Sequence, residues 1–223
     1  MSIELIDFQG DPNIGLFLVS TDKFVLVPAD ITNNLKKTLE TTFKVPVFEI
    51  IFDTKIIGAL VSANDNGIIF SHLIHDNVIE EIKNKLPDVN IGKIKTGYFA
   101  MGNLIAGTNK QTLISPLIGS DERKMIRDVL GTELIATRLS GSDLVGSLLK
   151  VSALGGVISP IVDDEAEIEN LNSILNLELE SSTVNRGFQF PSGGIEANSF
   201  GAVLGNLTTG IESIAITRGL FPD

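Results

Sequence analysis

The sequence predicts an α/β chain of five strand-strand-helix-strand repeats, closed into a five-fold pseudo-symmetric β/α propeller. Three observations predict it. A glycine ahead of an apolar stretch recurs in Ile14-Gly15-Leu16, Ile57-Gly58-Ala59, Met101-Gly102-Asn103 and Val145-Gly146-Ser147, at intervals of 43, 44 and 44, with Gly193-Gly194 as the fifth candidate. Downstream, a second apolar run leads into Val27-Pro28, Ser71-His72, Ser115-Pro116, Ser159-Pro160 and Gly205-Asn206, at intervals of 44, 44, 44 and 46. Finally, apolar residues follow strand spacing between the landmarks and helical spacing after the second one.

Within a unit the first glycine opens a strand, read over residues 57–63, 103–108 and 147–153. A tight turn such as Asn64-Asp65-Asn66-Gly67 then returns the chain in a second strand, making a hairpin. After the second landmark, Asp76, Asp121, Asp164 and Thr209 are suited to cap a helix, the last two with Glu167 and Glu212 three positions on as capping boxes. The helices carry apolar residues three and four apart: Ile31, Leu35, Leu39 and Phe43; Val78, Ile82 and Leu86; Ile126, Val129 and Leu130; Ile168, Leu171 and Leu175. A third strand follows over 47–52, 89–94, 134–137 and 177–180. One such unit cannot cover both faces of its small sheet, so the five are expected to share burial with neighbours. The apolar first and last units argue for closure rather than an open stack. The repeats run over about 13–55, 56–99, 100–143, 144–190 and 191–223, with residues 1–12, Ile3 to Phe8 in particular, supplying the outer strand that the last unit lacks.

Composition narrows the chemistry. The formal net charge is -11, and residues 151–223 hold ten Asp or Glu against only Arg186 and Arg218. An acidic body repels phosphate, which disfavours extensive contact with bare nucleic acid and favours a basic protein partner. With no cysteine, disulfides, thiolate metal sites and cysteine nucleophiles are excluded. No apolar run approaches the roughly 20 residues that a bilayer span requires. The acidic start, Met-Ser-Ile-Glu-Leu-Ile-Asp, has neither basic leader nor apolar signal core, so a cytoplasmic location is expected. His72 and His75 stand three apart beside Asp76 but lack a third and fourth ligand, and no metal is expected there. The acidic run from Asp163 to Glu169 suits a helix start. Neither Gly193-Gly194 nor the 205–210 segment has the lysine and spacing of a phosphate loop.

The segments Asn13-Ile14-Gly15, Ile56-Ile57-Gly58, Met101-Gly102-Asn103-Leu104, Leu144-Val145-Gly146-Ser147, Gly156-Val157-Ile158-Ser159-Pro160, Thr183-Val184-Asn185-Arg186-Gly187 and Thr208-Thr209-Gly210-Ile211-Glu212 occur in order along nearly the whole chain. In them the sequence resembles the translation initiation factor 6 family of archaea and eukaryotes, whose architecture is the pentein ring. The resemblance implies a cofactor-free, non-enzymatic protein that binds the large ribosomal subunit on its joining side. It further implies contact with a ribosomal protein near the sarcin-ricin loop, exclusion of the small subunit, and a role in subunit maturation. His72 replaces the expected proline of the second unit, and Phe188-Gln189-Phe190-Pro191-Ser192 is more apolar than the family pattern. The sequence stops at Asp223 without the long tail of the eukaryotic members, which points to the archaeal form.

In a closed ring the first-glycine turns share one face, and that loop-built face is the expected binding surface. Its candidate partner-binding residues are Asn13, Gly15, Gly58, Asn103, Gly146, Asn185 and Arg186. Asn103 is the sharpest: it matches the family's asparagine beside a glycine that admits close backbone approach, the competing role being to satisfy its own turn. The glycines equally answer to backbone geometry, and Arg186 to an ion pair with an acidic neighbour. A ring closed within one chain needs no second copy, so a monomer is expected. Two other classes stay open from sequence: a hydrolase of the same architecture with a non-cysteine nucleophile, which requires a deep central pocket with carboxylates and histidine, and a general ring scaffold for proteins.

Overall fold

The computed structural model of the chain describes residues 1–52 and 54–222; the expected chain end at Asp223 lies outside the described residues. Strand β1, Ser2–Ile6, comes first. The first unit holds a 3₁₀ turn at Ile14–Leu16, β2 Val19–Ser20, β3 Val25–Pro28, α1 Asn33–Phe43 and β4 Val47–Ile50. The second holds α2 Ile57–Leu60, β5 Val61–Ala63, β6 Gly67–Ser71, α3 Asp76–Lys85 and β7 Asn90–Ile94. The third holds α4 Met101–Leu104, β8 Ile105–Gly107, β9 Gln111–Ile114, α5 Ser120–Leu130 and β10 Glu133–Ala136. The fourth holds α6 Val145–Leu148, β11 Leu149–Val151, β12 Gly156–Ile158, α7 Glu165–Leu175 and β13 Leu179–Ser181. The fifth holds α8 Pro191–Gly194, β14 Ile195–Ala197, β15 Gly201–Gly205 and α9 Gly210–Leu220.

These strands form five separate three-stranded sheets among the described residues, in keeping with the five-fold repeat. In the first four the hairpin pairs antiparallel and the third strand pairs parallel to the middle one, as in Val61↔Phe70 and Ser71↔Ile94. The fifth sheet takes its outer strand from the N-terminal segment, β1 pairing parallel with β15 from Ser2↔Gly201 to Ile6↔Gly205. The cores lie between units. One cluster joins Phe24, Leu26 and Ile50 of the first unit to Ile57, Phe70 and Ile82 of the second. Another joins Val203 of the fifth to Phe17, Leu39 and Phe43 of the first. Each unit thus buries its apolar face against the next, which a lone three-stranded sheet cannot do.

Several local expectations need correction. The first glycines do not open strands; Gly58, Gly102 and Gly146 sit at the second position of a one-turn helix, and the strands begin three residues later at Val61, Ile105 and Leu149. A four-residue turn is too short to show a 3.6-residue period. The fifth counterpart is Ser192, in the same position of α8, rather than Gly193-Gly194. His75 and Gly119, not Asp76 and Asp121, cap α3 and α5, while Asp164 and Thr209 cap α7 and α9 as read. The capping box is complete only at Thr209.

The reason for glycine is crowding. The 3₁₀ turn touches α2, α2 touches α4, α4 touches α6, α6 touches α8, and α8 touches the 3₁₀ turn. A Cβ on Gly58 would collide with the carbonyl oxygen of Gly15, one on Gly102 with that of Gly58, one on Gly146 with that of Gly102, and one on Gly15 with that of Ser192. Beyond these turns the hairpins enclose an axial cavity of about 120 Å³. Across it Lys150 Nζ meets Glu196 Oε2 at 2.6 Å, and Glu196, 2% exposed, also accepts hydrogen bonds from the backbone and hydroxyl of Ser20 at 2.8 Å. A buried carboxylate needs such partners, and these three link the fourth, fifth and first units.

Gly102→Ala is expected to lower unfolding free energy by about 2 kcal/mol or more, since the colliding atom is backbone. Gly97→Ala, with nothing within 4 Å of its added carbon, is expected to change it by less than about 0.5 kcal/mol. Urea denaturation of both variants checks this; equal effects would refute the crowding account.

Candidate partner-binding face

The strand directions divide the molecule into two ends. The inner strand of each sheet runs antiparallel to the middle one, and the outer strand runs parallel to it. The start of the inner strand therefore lies with the ends of the other two. The first-glycine turns, the second-landmark turns, the N-termini of α1, α3, α5, α7 and α9, and the connections between units share this end, here called the connection face. The hairpin tips form the opposite end.

At the tips, polar groups satisfy one another. Thr21, Asn64, Thr108 and Asn198 each accept, on their side chain, the backbone N–H three residues on, at 3.0 to 3.3 Å. Ser199 N donates to Asp22 Oδ1 at 2.8 Å, Asp22 N to Asp65 Oδ1 at 2.8 Å, and Asp65 N to Asn109 Oδ1 at 2.9 Å. The series stops at the next tip, where Ala153 has no acceptor.

The connection face is different. Half-exposed apolar side chains stand in the inter-unit connections: Ile56, Tyr98, Phe99, Leu144 and Phe188 are 40 to 43% exposed, and Leu73 and Leu207 project from second-landmark turns. Each of these four connections also carries a cation. Lys55 Nζ reaches Gln9 Oε1 at 2.8 Å, Arg138 Nε reaches Asp143 Oδ1 at 2.8 Å, and the side chains of Lys95 and Arg186 form no ion pair with a described residue. The connection face thus carries half-exposed apolar groups and cations at the same end of the molecule.

The predicted residues fall into two groups. Gly15, Gly58 and Gly146 are packed against neighbouring backbone, so their side of the question is geometry. Asn13 caps the 3₁₀ turn by backbone only and donates from Nδ2 to Asp11 Oδ1 at 3.0 Å. Asn185 donates from Nδ2 to Pro12 O at 2.8 Å and accepts from Thr208 Oγ1 at 3.3 Å, tying the fourth-to-fifth connection to the N-terminal segment. Asn103, half-buried on α4, uses its backbone N–H to bond Ala100 O at 3.0 Å, while its side-chain amide has no hydrogen-bond partner among the described residues. Of the predicted set, Asn103 and Arg186 alone present uncommitted polar side chains. Apart from Arg186, the apolar and cationic residues of the connections were missed, although aligning the connections to the repeat shows a cation in four of them. His72, which packs its ring 5.4 Å from Phe99, belongs to this face too.

Arg186 meets an acidic neighbour, but through its backbone rather than the expected ion pair. With φ of 64° it turns its N–H toward Glu212 Oε2 at 3.1 Å, and Gly187 N meets Oε1 at 2.8 Å. Thr183 Oγ1 donates to the same carboxylate at 2.7 Å and Thr209 N at 2.8 Å. Burial pushes the Glu212 carboxyl up, but the hydrogen bonds from Thr209, Thr183 and Gly187 outweigh it and bring its pKa down from 4.5 to about 2. Glu167 plays the matching part in the previous unit by accepting from Ser140 N at 2.9 Å, instead of closing a box with Asp164.

The family follows from comparison with known proteins. A family model described as the eIF-6 family matches residues 3–219. The chain belongs to that family. Translation initiation factor 6 of Pyrococcus abyssi is 36% identical over 99% of both chains. That of Staphylothermus marinus is 34% identical over 99% of this chain and 98% of its own. Eukaryotic translation initiation factor 6 of Dictyostelium discoideum is 31% identical over 97% and 89% respectively. Family membership thus places the chain among translation initiation factors.

Because Glu212 binds fewer protons folded than unfolded, its contribution is complete above pH 4.5 and is lost as pH falls toward 2. The shift corresponds to about 3 kcal/mol. Glu212→Gln is expected to be less stable than the parent at pH 7 by about that amount, and the gap is expected to narrow as pH falls from 4.5 toward 2. Urea midpoints across that range decide it, and a gap independent of pH would refute it.

Proposed function

We propose that the five units form one closed propeller-like ring that binds the large ribosomal subunit through the connection face and sterically keeps the small subunit away. Family membership supports this reading at the level of translation, and one observation carries it to the surface: the half-exposed Ile56, Tyr98, Phe99, Leu144 and Phe188 gather at one end of the molecule with Lys55, Lys95, Arg138 and Arg186. The cations face rRNA phosphates near the sarcin-ricin loop, and the apolar groups pack on a ribosomal protein. Asn103 donates or accepts at the centre of the contact. The protein acts in the cytoplasm as a single chain, without cofactor, and in subunit maturation as well as anti-association. No helix among the described residues is long and apolar enough to cross a membrane.

The hydrolase alternative finds no support. Its central pocket is narrow, about 120 Å³, and the residues lining it include the Lys150–Glu196 pair but neither His72 nor His75. A carboxylate committed to a lysine and a serine is not poised as a general base.

The protein is expected to co-sediment with purified large subunits in sucrose gradients and to reduce their joining to small subunits. Tyr98→Ala and Asn103→Ala are each expected to weaken binding about tenfold with unfolding midpoints unchanged. Absence of co-sedimentation with large subunits would refute the proposal.

A further inference from the structure

Asn66-Gly67, in the hairpin tip of the second unit, is the one asparagine-glycine pair in the sequence. That pair carries a chemistry of its own in water. With no side chain on the glycine to hinder it, the Gly67 backbone nitrogen loses its proton and attacks the Asn66 amide carbon whenever the two are free to meet. A new C–N bond closes a succinimide, the amide nitrogen leaves as ammonia, and water opens the succinimide at either carbonyl to give aspartate or isoaspartate. No oxidant, reductant or cofactor is consumed.

The fold holds both reacting groups off that path. Gly67 N donates to Asn64 Oδ1 at 3.0 Å, and Asn66 N donates to the same oxygen at 3.0 Å. The Asn66 amide is committed to the neighbouring unit, its Nδ2 donating to Leu130 O at 3.1 Å. Space is closed as well: a Cβ on Gly67 would collide with the backbone of Val129, and one on Gly131 would lie 3.3 Å from Asn66 Nδ2. Gly67 opens the middle strand β6 opposite Asn90 of β7, whose N–H donates to Asn66 O at 2.9 Å. Succinimide closure therefore requires the seam between the second and third units to open and the Gly67 N–H to leave Asn64.

The other tips show that the turn does not need an asparagine at this position. Its equivalents are Lys23, Lys110, Leu154 and Phe200. The fifth tip makes the same turn with Phe200-Gly201, Asn198 Oδ1 accepting from both backbone N–H groups at 2.9 and 3.2 Å. Nor does the helix end need it, since Leu130 O already accepts from Asn64 Nδ2 at 2.9 Å. A second donor is tolerated there, but a carboxylate is opposed: Leu130 is the last residue of α5, and its carbonyl lies at the negative end of that helix. Isoaspartate would also lengthen the backbone where β6 enters its sheet.

We propose that Asn66 is a latent deamidation site, shut by the seam between the second and third units, and that its conversion loosens that seam. The modification is a covalent record of opening. It is written at the tips, away from the connection face, so it stands or falls independently of the ribosome-binding reading.

The test follows the full chain in mildly alkaline buffer over a series of urea concentrations below its unfolding transition. Peptide mapping by mass spectrometry reads aspartate and isoaspartate at position 66, while amide hydrogen exchange reads the Gly67 N–H in parallel. Both rates are expected to rise by the same factor, and deamidation of the unfolded chain is expected to exceed that of the folded chain by about tenfold or more. Asn66→Asp, which stands for the product, is expected to speed exchange over residues 64–67 and 129–133 about fivefold relative to Asn66→Ala, which loses the bond to Leu130 O without gaining the charge. An Asn66→Asp chain that fails to fold where Asn66→Ala folds shows the same loosening carried to completion. Deamidation as rapid folded as unfolded, none in either state, or a rate that ignores the exchange of Gly67 overturns the gate. Exchange no faster in Asn66→Asp than in Asn66→Ala overturns the loosening.

Discussion

The structure depends on how closely five backbone turns approach one another. Gly15, Gly58 and Gly102 each offer a carbonyl oxygen to the space where the next turn's Cβ would lie, and Ser192 offers one to Gly15. Four of the five receiving positions are glycine, which brings no Cβ into that space. The fifth is Ser192, whose Oγ donates to Leu149 O at 2.9 Å. Once the turns are this close, inner strands must diverge from them, helices must sit outside, and each apolar sheet face has only the adjacent unit to bury against. The inter-unit cores are therefore a consequence of the glycines.

The same crowding separates the roles of the two ends. Tips held by short bonds such as Asp22 to Asp65 have little left to offer a partner, since their donors and acceptors are satisfied internally. The connections are longer and vary from unit to unit, and they carry half-exposed apolar side chains together with Lys95 and Arg186, whose side chains form no ion pair with a described residue. Glu212 shows how such a loop is still kept rigid, one carboxylate gathering donors from Thr183, Arg186, Gly187 and Thr209. A rigid loop with exposed apolar and cationic tips loses little entropy on binding.

The period of the repeat was legible because it is written twice, in the glycines and in the second landmark, and the helices because their apolar faces are long enough to count. The caps Asp164 and Thr209 were legible by residue type. His75 and Gly119 were not, since the flanking Asp76 and Asp121 are the better cap by type yet fall inside the helix, where they favour its positive end. Reading Gly193-Gly194 as the fifth landmark failed because the 46-residue interval signals extra residues in the preceding connection, and allowing for them gives Ser192. The bonds of Asn185 to Pro12 and of Lys150 to Glu196 join positions 173 and 46 residues apart, and no local pattern encodes them.

Departures from the repeat separate into those that the fold uses and those that it does not. Lys150 and Glu196 stand where Val19, Ser62 and Ala106 stand in other units, but they meet each other and Ser20 inside the molecule, so their polarity is answered. Ala153 breaks the series of tip bonds between the third and fourth units, and the Lys150–Glu196 pair ties the fourth unit to the fifth. Ile211 and Ile214 have no such answer: they stand 84% and 69% exposed, the neighbouring Arg218 is paired with Glu180, and the helix they stand on is already anchored by Ile216, Leu220 and the capping box. Lys150 and Glu196 thus mark an asymmetry that the molecule answers within itself, whereas Ile211 and Ile214 mark one that the packing of α9 does not use.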